Sequence, residues 1–184
     1  MGERRAYQRA DERDLVAWAQ DGDQPAFAAL VERNRTMMYT VCFRITGNQA
    51  DAQDAVQIAL TSAWRNLHRF QYKARFSTWL FQVARNAALG ELRKRRAEPV
   101  GDDLLTLPDP RRGFDERLPE ADAVQRALAR IPPDFRAALV LREFSGLSYQ
   151  EIADAEGIKV ETVKTRIARA RKAVALLLAA DDAA

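Results

Sequence analysis

The sequence predicts an all-α protein: two small helical domains joined by a flexible linker, the C-terminal one with a helix-turn-helix. Three observations predict it. Apolar residues recur at helical spacing through most of the chain. Sustained two-residue alternation is missing, and no Asn-Gly or Asp-Gly hairpin separates apolar runs. Between the helical halves, EPVGDDLLTLPDPRRGFDERLP holds four prolines, two glycines and many charges, with no helical stripe longer than a turn.

Composition narrows the class. A chain of 184 residues that is 47% hydrophobic and 30% charged buries real cores, which excludes a disordered protein. Its net charge is only +3 although its pI is about 9.2, so local patches matter more than the total. Cys42 is the only cysteine and His68 the only histidine. An internal disulfide and a Cys/His zinc site are both excluded. Cys42 lies in the apolar run MMYTVCFRI and is expected in the core, with His68 at the surface or a helix end. No apolar run approaches the ~20 residues of a membrane span, and MGERRAYQRADER lacks a signal-peptide core. A cytoplasmic protein without cofactor, metal or membrane insertion is expected.

The elements follow in order. Residues before about 11 are polar and expected to be loose. A helix over 11–19 carries Leu15, Val16 and Trp18 toward its buried side and breaks at Asp21-Gly22-Asp23. Pro25 suits the first turn of the next helix, capped by Asp23 or Gln24 and ended by Gly47-Asn48. A third helix over 49–67 has an apolar stripe of Ala52, Ala55, Val56, Ala59, Leu60 and Ala63. A fourth runs from about 76 into Arg93-Lys94-Arg95-Arg96, on a stripe of Phe76, Leu80, Val83 and Ala87. The boundaries expected are a flexible N-terminus over 1–11, a first domain over 12–97, a linker over 98–119 and a second domain over 120–180. In that second domain Val124, Leu128 and Ile131 mark a helix stopped by Pro132-Pro133. Another covers 135–144 with Leu139, Val140 and Leu141 inside, closed by Gly146. The tail 179–184 is expected to fray. The two halves do not resemble each other, so no internal repeat is present.

Two stretches carry chemistry. In SYQEIADAEGIKVETVKTRIARARK, a short helix with Ile152 and Ala153 inward is followed by Gly157, suited to a left-handed helix end. The next helix places Val163, Ile167, Ala170, Val174 and Leu177 on one face. Thr165, Ala168, Arg169 and Lys172 lie opposite, with Lys164 beside them. A short helix, a Gly turn and a cationic second helix suit a helix-turn-helix laid in a DNA major groove. The stretch from Trp64 to Arg96 interleaves rings with cations. Rings stack on unpaired bases at about 1–3 kcal/mol per base, and cations follow phosphates. The loop 70–75, with two rings and two cations, is the best candidate for such contact; Trp64, Phe76 and Phe70 also suit a core.

These residues carry a resemblance. DAQDAVQIALTSAWRNLHRF followed by ARFSTWLFQVARNAALGELRKRR closely resembles the second region of sigma factors, and LSYQEIADAEGIKVETVKTRIARARKAV resembles their fourth. With a short linker in place of a third domain, the chain resembles the extracytoplasmic-function group of the sigma-70 family over about residues 12–178. The resemblance implies a dissociable subunit that directs core RNA polymerase to promoters and initiates transcription. The helix over 51–67 would dock on the beta-prime coiled coil through Asp51, Asp54 and Gln57, with the beta subunit also in contact. Phe70, Tyr72, Lys73, Arg75, Phe76, Trp79, Arg85 and Asn86 would open the minus-ten element and capture a flipped base. Lys164, Thr165, Arg166 and Arg169 would read the minus-thirty-five element, with Arg171 and Lys172 on phosphates. The linker would thread toward the polymerase active site and RNA exit path. An anti-sigma factor and a stress or signal regulon are implied as well.

Some positions depart from the family pattern. Gln53 and Ile58 stand where relatives often carry acids, which weakens an acidic docking surface. Phosphate on Thr61 or Ser62, one turn beyond, would add about −1.5 to −2 charge there. In the recognition helix, Lys159 and Glu161 stand where relatives often have Pro and Gly. A stand-alone helix-turn-helix regulator is the alternative, but it needs no single-strand site. An enzyme is not expected, because the carboxylates lie on helix faces without a nucleophile, metal set or Gly-rich phosphate loop. A helical adaptor protein leaves the basic faces unexplained, and no small-molecule substrate is expected.

Overall fold

The computed structural model describes residues 7–97 and 119–182. Among them the elements are α1 (Glu12–Gln20), α2 (Gln24–Thr46), α3 (Gln49–Asn66), a 3-10 turn (Leu67–Arg69), α4 (Phe76–Ala97), α5 (Pro119–Ala129), α6 (Pro133–Glu143), α7 (Tyr149–Glu156) and α8 (Val160–Asp182). No strand occurs among the described residues. The expected linker over 98–119 falls, except for its last residue, outside the described residues, as do residues 1–6 of the expected loose N-terminus.

Local chemistry sets the helix bounds. Asp11, Asp23 and Asn48 cap α1, α2 and α3, each accepting a backbone N–H from three residues on. Pro25 occupies the first turn of α2. Gly47 ends α2 at φ 88, a left-handed conformation that glycine adopts without a Cβ clash. α3 buries only small residues, Ala52, Ala55, Ala59 and Ala63. Its backbone can therefore lie close to α2 and α4, between which it packs. Leu30, Met38, Val41, Cys42 and Ile45 of α2 and Leu80, Ala84 and Ala88 of α4 fill the same core. Burial pushes the Cys42 thiol up to about 12, so it remains a packed apolar side chain.

α6, α7 and α8 form the C-terminal unit, with α5 against α8. Leu139, Val140, Leu141, Leu147, Ile152, Val163, Ile167 and Ala170 are among its buried residues. α6 is buried on every face from Arg136 to Leu141. A helix covered all round must have neighbours on both sides, and α6 has them: α8 and α7 on one, α2 and α4 on the other. The two units thus pack against each other. Arg136, only 6% exposed, joins them. Its guanidinium donates to the Ile45 carbonyl near the end of α2, to the Ala129 carbonyl at the end of α5 and to the Ile131 carbonyl beyond it. Burial, with a smaller push from Arg96, lowers its pKa to about 10. Arg44 lies 5.0 Å from the Phe144 ring centroid across the same junction.

Three expectations are corrected. Residues 7–10 are tied down rather than loose: Tyr7 donates to Asp23, and Arg33 donates to the carbonyls of Tyr7, Gln8 and Ala10. Trp18 is exposed, with its ring edge-on to Tyr7; Ala19 takes the buried place beside Leu15 and Val16. Helix α8 runs on through residues 179–182, where fraying was expected, because α5 packs along it and Arg126 pairs with Asp181 at 3.4 Å.

Candidate nucleic-acid interface

The expected single-strand site forms around the loop between the 3-10 turn and α4. Phe70, Tyr72, Phe76 and Trp79 make one ring cluster, in which Phe70 lies 5.2, 6.0 and 5.5 Å from the others. The cluster divides by burial. Phe76 is fully buried and Phe70 nearly so, which makes both packing residues in this state and withdraws Phe76 from direct base contact. Trp79 is half-buried and Tyr72 is 42% exposed. Lys73 and Arg75 are exposed beside them. Tyr72 sits at φ 56, a left-handed conformation that a bulky residue adopts only when its surroundings impose it.

Those surroundings are residues that the spacing of the sequence did not flag. Gln20, the last residue of α1, donates from Nε2 to the carbonyls of Leu67 and Phe70 at 3.0 and 2.9 Å. Its Oε1 accepts from the Tyr72 hydroxyl at 3.3 Å. Glu12 Oε1 accepts from the Phe76 N–H at 3.0 Å, which caps α4 from a distance. One signal was available for Glu12: Arg75, before α4, has no acceptor side chain of the capping type, so a cap had to come from elsewhere. Arg85 and Asn86 lie further along α4, joined at 2.9 Å. Arg85 is mostly buried and faces Glu156, whereas Asn86 is exposed.

The helix-turn-helix is built as its residues suggest. Ser148 and Glu151 form a reciprocal capping box at the start of α7, and Gly157 ends that helix at φ 62. The Ser148 N–H, and then the two hydroxyls, hold the Glu151 carboxyl below the usual range. On α8, Lys164, Thr165, Arg169, Arg171 and Lys172 are exposed. Lys164 pairs with Glu161 at 2.8 Å, and Arg171 is held by Glu143. Arg166 is drawn to Glu156 at 2.7 Å and is only partly exposed.

The expected docking residues lie on α3. Asp54 and Gln57 are exposed there with Gln53 and Ile58. Asp51 is half-buried, bound by Asn48 at 2.6 Å and by Arg95 at 3.3 Å. Thr61 is exposed and donates to the Gln57 carbonyl, while Ser62 is half-buried against Asn66. No group of His, Cys, Asp and Glu able to hold a metal occurs among the described residues. None of the described helices is long and apolar enough to cross a membrane.

Comparison with known proteins agrees with this geometry. Residues 30–98 match the family model for sigma-70 region 2, and residues 121–174 match that for sigma-70, region 4. The ECF RNA polymerase sigma factor SigW of Bacillus subtilis is 34% identical over 167 residues, covering 83% of this chain and 89% of the relative. SigM of Mycobacterium tuberculosis, also an ECF sigma factor, is 36% identical over 174 residues, covering 94% of this chain and 86% of that protein. Among solved structures, CnrH in complex with the cytosolic domain of CnrY is similar, with a TM-score of 0.70 at 29% identity over 92% of this chain and 98% of that one. The sigma factor RpoE of Bartonella quintana, in complex with the anti-sigma factor NepR, gives 0.66 at 25% identity over 84% and 98%. With both regions matched in order, and relatives above 30% identical over most of the chain, the chain belongs to the sigma-70 family, in its extracytoplasmic-function group of RNA polymerase sigma factors.

Proposed function

We propose that this sigma factor binds core polymerase through α3, opens the minus-ten element at the loop 70–75 and the exposed side of α4, and reads the minus-thirty-five element with α8. Residues 12–97 form the docking and melting domain, and residues 120–180 the upstream-reading domain. The observation that carries the reading is the loop itself. Tyr72 is held in a strained conformation and is 42% exposed, in a ring cluster that includes Trp79 and with the exposed cations Lys73 and Arg75 in the same loop. A regulator that binds duplex DNA alone has no use for such a site. The protein acts as a regulatory subunit, without catalysis of its own, in the cytoplasm with polymerase. An anti-sigma protein restrains it, as NepR binds the similar RpoE, and its regulon answers a stress or signal.

Run-off transcription from a genomic fragment library with purified core tests the reading. Wild-type protein is expected to initiate at a defined promoter set. Trp79→Ala is expected to lose about 1–3 kcal/mol of single-strand binding, read as weaker promoter opening. Arg169→Ala is expected to relax upstream sequence preference by a similar amount. Good core binding with no initiation on any fragment would refute the assignment.

Thr61 is the better placed of the two phosphate acceptors, because Ser62 is half-buried. A charge at Thr61 would supplement Asp54 on the docking face. Thr61→Glu is expected to tighten core binding relative to wild type and Thr61→Ala, measured by competition with a second sigma factor. Wild type binding core as tightly as Thr61→Glu would remove any need for the modification.

A further inference from the structure

Helix α1 carries none of the promoter contacts proposed above, yet three of its side chains close on the loop that makes them. Gln20 Oε1 accepts from the Tyr72 hydroxyl at 3.3 Å. Glu12 Oε1 accepts from the Phe76 N–H at 3.0 Å. Arg13 holds its guanidinium carbon over the Tyr72 ring, 5.7 Å from the centroid. Between α1 and the loop lies a cleft of ≈ 540 Å³, lined wholly from those two segments. Arg13, Lys73 and Arg75 are its cations, and all three are exposed. Glu12 is its one acid, and that carboxylate already accepts from the α4 N–H. Asp11 and Asp14, also exposed on α1 and its cap, do not line the cleft. The cleft therefore joins an aromatic ring to an excess of positive charge, the pairing that an unpaired nucleotide requires.

We propose that α1 is a second wall of the single-strand site: Arg13 binds the phosphate of the nucleotide whose base stacks on Tyr72. The proposal rests on the reading of the loop 70–75 as the place where the strand is held open. The two partners differ in mobility. Tyr72 is fixed, because Gln20 holds its hydroxyl and Phe70 packs 5.2 Å from its ring. Arg13 is exposed, and a cation over a ring is only weakly held where water reaches it. A base offers the ring a larger flat surface than a guanidinium does. As the base takes the ring, the Arg13 side chain swings to the phosphate of the same nucleotide. There its planar fork of N–H groups pairs with two phosphate oxygens at once. Lys73 and Arg75, across the cleft, follow the neighbouring phosphates.

The test measures binding of the full chain to a fluorescein-labelled single-stranded oligonucleotide over a range of salt concentrations. Each phosphate contact on a single strand steepens the fall of log affinity with log salt by about 0.7. Arg13→Gln is therefore expected to flatten that slope by about 0.7. It weakens binding by about fivefold in about 0.1 M salt and converges with wild type toward about 1 M. Arg13→Lys, which keeps the charge, is expected to keep the wild-type slope. Arg35→Gln removes the same charge from an exposed site on α2, outside the cleft, and is expected to match wild type. Tyr72→Leu removes the stacking surface and is expected to weaken binding about fivefold or more at every salt concentration, with the slope unchanged. A wild-type slope in Arg13→Gln, or an equal change in Arg35→Gln, overturns the role of Arg13. So does an Arg13→Lys slope as flat as that of Arg13→Gln. In any of these cases a loss in Tyr72→Leu still leaves the loop as the single-strand site. Full affinity in Tyr72→Leu as well as in Arg13→Gln sinks both readings.

Discussion

Gln20 makes no DNA contact in the proposed mechanism, yet it shapes the loop that does. Its amide satisfies two backbone carbonyls and its oxygen receives the Tyr72 hydroxyl. Gln20→Ala leaves both carbonyls without this donor, at an expected cost of about 1–3 kcal/mol. It also releases the Tyr72 backbone from its strained conformation. A lower Tm by calorimetry, together with weaker single-strand binding, is the expected result; an unchanged Tm would show that the bonds are replaced by water. The rings and cations of this site were legible in the sequence as a dense run from Trp64 to Arg96. The residues that position them were not. Gln20 and Glu12 act on partners 50 and 64 positions away, and no local pattern encodes such a pairing. Burial was partly legible: Phe76 was expected on the apolar stripe of its helix and is inside, whereas it took packing to leave Tyr72 out.

Helices were the most legible level, because their signals are local. Capping residues lie three positions from the N–H groups they satisfy, and the glycines at 47 and 157 mark left-handed ends. The capping box of α7 has a pH consequence. The folded-state pKa of Glu151 is depressed, chiefly by the Ser148 N–H. Its contribution to stability is therefore present above the ordinary value of 4.5 and is lost as pH falls through the depressed folded value. The stability gap between wild type and Glu151→Gln, measured by urea unfolding, is expected to narrow as pH falls below that range. A gap independent of pH would contradict the assignment. At neutral pH, Ser148→Ala is expected to cost about 1 kcal/mol. Periodicity was less complete for α4 and α6. The stripe of α4 was expected on Phe76, Leu80, Val83 and Ala87, but Thr78, Phe81 and Ala84 are buried as well. α6 is covered on all sides. Both helices have a second packed surface, which a single-stripe reading underestimates.

At the scale of the whole molecule, that second surface is the junction between the units. Arg136 and Thr78 would rank as surface residues by type, and both are buried there: Arg136 donates to carbonyls at the ends of α2 and α5, and Thr78 donates to Glu151 of α7. Buried polar groups demand such partners, so these residues fix how the units fit rather than how strongly they adhere. The junction changes the meaning of the two DNA-facing helices. Each presents cations when its unit is considered alone. Docked together, they share Glu156, and an arginine from each turns inward. Acids of α7 stand opposite bases of α4 and α8, so the basic faces of the two units are partly offset at the junction.

The sequence by itself determined the helices, their caps and turns, the order of the two helical units, and the two basic stretches that mark family and function. All of these depend on residues within one or two helical turns of each other, or on motifs read along the chain. Only the tertiary structure decided which rings remain accessible, how Gln20 and Glu12 hold the strained loop, and how Glu156 reaches Arg85 across the junction. Those features depend on groups far apart in the chain whose desolvation is compensated only when a specific fold brings them together, and linear spacing carries no record of that meeting.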